Sequence, residues 1–147
     1  MDRVLIALGW LWAAPNSLLG LVAGLIAVPF GARPYRRGPV LVFRLMPRFT
    51  GALTLGCVVL HAGRSLDILV PTYTARLRPA ARAAQVRLAD HEHAHVLQYL
   101  VLGPLFLPLY FLCGGVSPRN RFERAADHFA LMGRGWWPWP WRRSHYH

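Results

Sequence analysis

The hydrophobic positions of this 147-residue chain are gathered into blocks, and two blocks are long enough to cross a bilayer. Residues 4–30 carry no charged side chain, and as a helix they would extend about 40 Å, against about 30 Å for a hydrocarbon core. We predict a membrane segment here rather than a cleaved signal peptide, because the run is too long and residues 1–3 carry no net positive charge. Pro15 could kink one helix or turn a re-entrant hairpin, and the sequence leaves both open.

Shorter runs of β-branched residues follow the first block and predict extended structure. Residues 33–39 are basic and rich in turn-forming residues, so we predict a loop that ends the membrane segment. Residues 40–45 and 52–60 are separated by a proline and a glycine, which favours one β-hairpin over residues 40–60. The second run is also a candidate edge strand that can pair with an extended peptide.

Helical patterns dominate the second half of the chain. An alanine-rich run that begins at Pro79 predicts a helix that continues past residue 95, and residues 117–132 predict a short helix ended by Gly133. The tail, residues 133–147, combines tryptophan and arginine, as aromatic belts at membrane surfaces do. The sequence therefore predicts a single domain over residues 1–147, a mainly α membrane protein with a small β-hairpin.

The formal net charge of +11 suggests either nucleic acid or a membrane surface as partner. All 17 basic residues are arginine, and most flank the apolar blocks. A charge of this size can bind nucleic acid when it covers a soluble face. Beside apolar blocks it is typical of the cytoplasmic edge of a membrane. We therefore expect a lipid bilayer and no nucleic acid as partner, with the arginine-rich loop on the cytoplasmic side.

The candidate chemistry centres on residues 91–95, whose sequence H-E-H-A-H contains the motif H-E-x-x-H. On a helix, His91 and His95 share one face with Cβ atoms about 5–6 Å apart, so both imidazoles can bind one metal ion. Glu92 lies about 100° round the helix, where it can reach a water on that metal. His93 points to the opposite side and is not expected to be a ligand.

A catalytic zinc ion takes three protein ligands and leaves a fourth position for water. The only other glutamate in the chain is Glu123, in an E-x-x-x-D motif with Asp127 one turn later. We predict Glu123 as the third zinc ligand and Asp127 as the acceptor for a ligand histidine's other N–H. Glu92 would act as the general base, and Tyr99 and His128 are candidates to stabilise the oxyanion.

These motifs resemble a known group of enzymes. H-E-x-x-H followed by Asn120-x-x-Glu123-x-x-Ala126-Asp127 is similar to the gluzincin metallopeptidases, especially the membrane-bound CAAX prenyl protease and HtpX type. More closely, residues 88–130 resemble small uncharacterised bacterial membrane proteins. The resemblance implies a minimal zincin-like α+β site, Zn²⁺ bound by Glu123 with Asp127 beside it, a peptide or protein substrate, and a place in a bacterial inner membrane.

The ligand set constrains the second apolar block, residues 96–116. His95 and Glu123 must both lie within about 2 Å of one ion, whereas a straight span between them would separate them by about 30 Å. We therefore predict that the metal-site helices occupy residues 79–132. The apolar block between them must fold back near Gly103-Pro104 or Pro108, or lie in the interface, with the site at the cytoplasmic side.

The predicted function is a membrane-bound zinc metallopeptidase that hydrolyses peptide bonds with Glu92 as general base. The alternative is a non-catalytic membrane protein that keeps a structural or relic metal site. A di-iron carboxylate oxidase is disfavoured, since it needs two E-x-x-H motifs and Ala126 stands three residues after Glu123.

Overall fold

The computed structural model describes residues 3–77 and 84–139 and is mainly helical, with two small sheets. In chain order the elements are α1 (Arg3–Ala27), a 3₁₀ turn (Val28–Phe30), β1 (Arg33–Arg37), β2 (Val40–Arg44), β3 (Ala52–Leu55), β4 (Val58–His61), β5 (Leu69–Pro71), α2 (Tyr73–Leu77), β6 (Gln85–Arg87), α3 (Leu88–Leu102), a second 3₁₀ turn (Gly103–Leu105), α4 (Phe106–Leu112) and α5 (Arg121–Met132).

Helix α1 is one continuous helix, so Pro15 does not turn the chain into a hairpin. Its small residues face inward: a Cβ on Gly24 would lie 2.3 Å from the ring of Phe43, which places the helix backbone directly on the sheet. Its large residues face outward, with Leu11 at 73% and Ile26 at 63% exposure. A helix that buries glycine and exposes leucine is arranged for apolar surroundings on its outer face.

Two segments are long and apolar enough to cross a membrane by length and composition, residues 3–30 and 88–112. The second is not straight. The ring of Tyr110 lies 6.4 Å from that of His95, although fifteen residues of straight helix would separate them by about 22 Å. The chain reverses at Gly103-Pro104, the first of the two positions considered above, and α4 returns along α3.

The reversal depends on a close contact between α1 and Gly103. Gly103 has a positive φ of 52°, and a Cβ there would meet the indole of Trp12 at 2.5 Å, so only glycine fits this position without strain. The side-chain amide of Asn16 donates to the carbonyl of Gly103 at 2.9 Å, and the indole N–H of Trp12 donates to the carbonyl of Val101 at 3.2 Å. Helix α1 therefore supplies a donor to the carbonyl of Val101 at the end of α3 and a second donor to that of Gly103, which also accepts from the backbone N–H of Phe106.

The main sheet has the strand order β1-β2-β4-β3, and the predicted single hairpin over residues 40–60 is wrong. Strand β2 pairs antiparallel with β1 and parallel with β4, while β3 and β4 form a second hairpin. The run 52–60 is split because Gly56 has a φ of 62° and turns the chain. The basic residues 33–37, predicted as loop, are instead strand β1. Strand β3 lies at the edge of the sheet, against α3.

The site helix begins later than predicted. Residues 85–87 form strand β6, in which Val86 pairs with Val70 of β5 and is buried, so α3 starts at Leu88. Residues 78–83, which carry the start of the helix predicted from Pro79, lie outside the described residues, as do residues 140–147 of the predicted tail.

Helix α5 also begins later than predicted, since the sequence predicted a helix over residues 117–132. It begins at Arg121, because the side chain of Asn120 caps it by accepting from the backbone N–H of Phe122 at 2.9 Å. It ends at Gly133, as predicted, where φ is 69°.

Candidate metal centre

Helix α3 carries one half of the site, because it is packed between the edge strand β3 and helix α5 and buries the side chains that face them. His91 and His95 lie one turn apart on the face toward α5 and are 5% and 6% exposed. Glu123, in the first turn of α5, is 3% exposed and points back at them. Three buried polar side chains from two helices thus converge in one place.

The three side chains form a nearly equilateral triangle of ligand atoms. The Nε2 atoms of His91 and His95 are 3.2 Å apart, and Oε2 of Glu123 lies 3.1 Å from the first and 3.3 Å from the second. A tetrahedral zinc ion with bonds of about 2.0–2.1 Å separates its ligands by about 3.3–3.4 Å. The triangle therefore matches three corners of such a tetrahedron, and His91, His95 and Glu123 can hold a metal ion.

The other ring nitrogen of His91 is held by Asp127. The Nδ1–H of His91 donates to one carboxylate oxygen at 2.9 Å, and the backbone N–H of Tyr73 donates to the other at 2.7 Å. A proton fixed on Nδ1 leaves the Nε2 lone pair free, which is the tautomer a metal ligand needs.

His95 is oriented in the same way by Gln98, a residue that the motif analysis did not identify. The side-chain amide of Gln98 donates to the carbonyls of Phe122 at 3.3 Å and Trp136 at 2.8 Å. With its NH₂ group engaged, its oxygen is the atom that faces Nδ1 of His95, at 2.9 Å. With their Nδ1 protons held in this way, both histidines can offer Nε2 to a metal ion at the centre of the triangle, and binding of the ion would displace any proton carried there.

Glu123 uses its two oxygens differently. Oε2 faces the histidines, while Oε1 accepts a hydrogen bond from the hydroxyl of Tyr110 on the returning helix α4. Burial raises the pKa of Glu123, but the neighbouring His95 and His91 lower it by more, so its pKa lies below the usual range and it is a carboxylate at neutral pH. The chain reversal at Gly103-Pro104 therefore also brings Tyr110 to the site, as a hydrogen-bond partner of Glu123.

Glu92 stands outside the triangle of ligand atoms. It is buried, and its Oε2 accepts a hydrogen bond of 2.6 Å from the hydroxyl of Thr54 on edge strand β3. One carboxylate thus joins the imidazoles while the other is held beside them by the sheet. A site in which one acid binds a metal and the other transfers protons requires this separation of the two carboxylates.

Two cavities meet at the site, and both are lined by Tyr73, His91 and Glu92. The smaller has a volume of about 70 Å³ and mostly apolar walls, which include Leu107 and Phe106. The larger has a volume of about 570 Å³ and mixed walls, in which polar side chains such as His61 and Arg76 stand among apolar ones. The cluster is therefore reached from both cavities.

The two candidates for oxyanion stabilisation are placed differently. Tyr99 lines the smaller cavity, and its buried hydroxyl has no hydrogen-bond partner among residues 3–77 and 84–139. His128 is not brought to the cluster: it is exposed on α5 and lies against Gly135. His93 is exposed as expected, beside Phe129.

Sequence reasoning missed four residues of the site: Thr54, Tyr73, Gln98 and Tyr110. Gln98 offered a signal, because it is a polar side chain within an apolar block, one turn after a ligand histidine. The other three reach the site through tertiary packing from β3, α2 and α4 and have no fixed spacing from the motifs.

Replacing Gln98 with leucine is expected to lower zinc affinity about 10- to 100-fold, because the Nδ1–H of His95 loses its acceptor and two buried carbonyls lose their donor. Competition with a chromogenic chelator measures this affinity. Gln85→Leu, at an exposed position on β6, is the matched control. Equal affinities in the two variants would show that Gln98 does not orient the ligand.

Comparisons with known proteins found no family model, no curated protein and no solved structure that matches this chain. Any statement about function therefore depends on the geometry of the site itself.

Proposed function

We propose that this protein is a membrane-bound zinc metallopeptidase. The observation that carries the proposal is the triangle of His91, His95 and Glu123 with Glu92 held beside it and not in it. Two imidazoles and one carboxylate are a ligand set found in catalytic zinc sites of hydrolases. The motif resemblance to gluzincins, drawn from the sequence, agrees with the same assignment of roles.

The metal and Glu92 divide the reaction between them. When bound, zinc supplies Lewis acidity, which lowers the pKa of a coordinated water and polarises a carbonyl. Glu92 accepts the proton of the attacking water and returns it to the nitrogen of the leaving amine. The hydrogen bond from Thr54 fixes the rotamer of Glu92, so the carboxylate is in position before a substrate binds.

Tyr73 is the residue we propose for stabilising the oxyanion, in place of Tyr99 and His128. Its ring stacks on that of His91, with centroids 5.9 Å apart, and it lines both cavities at the cluster. Burial, with a further contribution from the Glu123 carboxylate, raises the pKa of Tyr73 to about 12, so its hydroxyl keeps its proton at neutral pH. A protonated phenol is a hydrogen-bond donor for developing negative charge.

The edge strand β3 is the proposed docking site for the substrate backbone. It lies at the edge of the sheet, contributes Thr54 to the site, and lines the smaller cavity with Ala52 and Leu53. An extended peptide can add to such an edge through main-chain hydrogen bonds. The substrate would then cross the cluster with its carbonyl near Tyr73.

A bacterial inner membrane is the proposed location. The outward face of α1 and the exposed residues Phe111, Leu112 and Val116 near the site are apolar. Arginines of the β1–β2 hairpin, such as Arg33 and Arg36, are exposed at the C-terminal end of α1, which packs on the same sheet that carries Thr54 of the site. By the positive-inside rule this end, and the site with it, belongs on the cytoplasmic side.

Removing and restoring the metal tests the proposal. Purified protein in detergent should contain one equivalent of zinc and cleave an unstructured protein such as casein. A strong chelator should abolish cleavage, and one equivalent of zinc should restore it. Cleavage that continues after chelation would reject the metallopeptidase, and one tightly bound zinc without cleavage of any tested protein would favour a structural metal site.

A further inference from the structure

The larger cavity beside the cluster contains a histidine that the proposed reaction does not use. His61, at the end of β4, lines this cavity and is 3% exposed. Its Nδ1 is buried and has no hydrogen-bond partner in the part of the chain that the structure describes. A buried polar atom without a partner destabilises the fold, so a ligand that pairs with it would recover that loss.

The position of His61 is set by the chain after it. A Cβ on Gly63 would lie 2.7 Å from Cε1 of His61, so the imidazole is covered by backbone and cannot swing away from the cavity on that side. Burial lowers the pKa of His61, and the charge of Glu92 opposes this only in part. Because the net shift is downward, the ring is neutral at pH 7. A neutral imidazole carries one N–H donor.

Arg76 supplies a positive charge to the same cavity. Its guanidinium stacks over the ring of Tyr73, 4.7 Å from the centroid, and it forms no ion pair with any carboxylate of residues 3–77 and 84–139. The two acidic residues that share the cavity are already engaged: Glu92 by Thr54, and Asp127 by the N–H groups of His91 and Tyr73. Besides the hydroxyls of Thr50 and Tyr73, the side-chain donors left for a ligand are those of Arg76 and His61, and Arg76 carries the positive charge.

We propose that the larger cavity is a subsite for a carboxylate of the substrate, bound by Arg76 and His61. This inference rests on the proposed peptidase function and specifies its substrate. The smaller cavity, which His95 and Glu123 line and the larger does not share, has the apolar walls of Leu53, Phe106 and Leu107. A preferred substrate thus has an apolar side chain on one side of the scissile bond and an acidic group on the other.

Peptide hydroxamates test this subsite by binding, without relying on turnover. The hydroxamate chelates zinc and fixes the ligand at the cluster, and a leucine beside it fills the apolar cavity. Three versions are compared: one ends in glutamine amide and is neutral, one ends in glutamate amide, and one has a free terminal carboxylate. Each is also made with the hydroxamate at the opposite end, so that both directions across the site are sampled. Titration calorimetry of the zinc-loaded protein in detergent gives each Kd.

We expect at least one carboxylate version to bind about fivefold or more tighter than the neutral one. The preference should disappear in Arg76→Ala, reverse in Arg76→Glu and weaken in His61→Ala. It should persist in Arg119→Ala, an exposed arginine away from both cavities. A preference for the glutamate amide version would identify a side-chain carboxylate as the ligand of this subsite, and a preference for the version with the free terminus would identify a terminal carboxylate. Arg76 is exposed, so its variants do not depend on whether His61→Ala folds.

The outcomes separate the two proposals. Equal Kd values for all versions, with tight binding through zinc, would reject the carboxylate subsite and leave the peptidase standing. A charge preference that survives Arg76→Ala would also reject it. Failure of every hydroxamate to bind protein that contains one equivalent of zinc would reject both, because the metal would then have no open position.

Discussion

Replacing Glu92 with glutamine is expected to reduce peptide hydrolysis by about 10²- to 10⁴-fold while the protein keeps its full equivalent of zinc. The reason is the separation of roles between the two acids: Glu92 lies outside the ligand triangle and accepts a hydrogen bond from Thr54. Glutamine has the same shape but cannot accept the proton of the attacking water. The measurement pairs turnover of an unstructured protein with zinc content by mass spectrometry on the same sample.

Asp90→Asn is the matched control, since it makes the same chemical change two residues earlier on α3. Asp90 is part of an exposed ion pair with Arg87 at 3.0 Å and does not line either cavity at the site. This variant should retain hydrolysis and zinc. Turnover that persists in Glu92→Gln would show that another group is the base, and loss of zinc in that variant would show that Glu92 belongs to the ligand set.

Replacing Glu123 with alanine is expected to release the metal altogether. The side chain provides the only carboxylate oxygen in the triangle, and without it two imidazoles and Tyr110 remain around a buried positive charge. The zinc content should fall from one equivalent to near zero after dialysis against a weak chelator, and zinc should no longer raise the melting temperature.

The neighbouring exposed residue on α5 provides the comparison. Arg124→Ala changes the same turn of the helix without touching the cluster, so it should keep both zinc and its thermal shift. A full equivalent of zinc in Glu123→Ala would remove this residue from the ligand set. The same result would mean that the 3.1 Å and 3.3 Å contacts of Glu123 Oε2 are hydrogen bonds to the histidines and not the spacing of metal ligands.

The residues of the cluster could be predicted from sequence because their chemistry has a fixed local spacing. His91 and His95 are one helical turn apart, and Glu123 and Asp127 repeat that spacing on α5. The need to bring the two motifs to one ion also identified Gly103-Pro104 as a position for the reversal of the apolar block. The side chains that orient the cluster were less accessible, because Thr54 and Tyr110 contact it only through long-range packing.

The sheet could not be predicted because alternation along a strand does not identify its partner. Val40–Arg44 pairs in parallel with Val58–His61, which no hairpin rule anticipates, and Arg33–Arg37 forms a strand despite its charge because one of its edges is paired with β2. The start of α3 was placed too early for a similar reason. Residues 85–87 have alanine-rich neighbours that favour helix, but pairing with β5 overrides that local propensity.

Helix α1 sets a limit on how this protein can be handled. Its Asn16 and Trp12 hold the Gly103 reversal, and its Ser17 hydroxyl accepts from the backbone N–H of Cys57 at 2.9 Å, where the β3–β4 hairpin turns. Helix α1 therefore supports the elements that form the metal centre, and it does more than anchor the protein in a membrane. A shortened version that begins after Phe30, of the kind often made to obtain a water-soluble enzyme, would lose the support for both the edge strand and the returning helix. Biochemical work will need the intact chain in detergent or lipid.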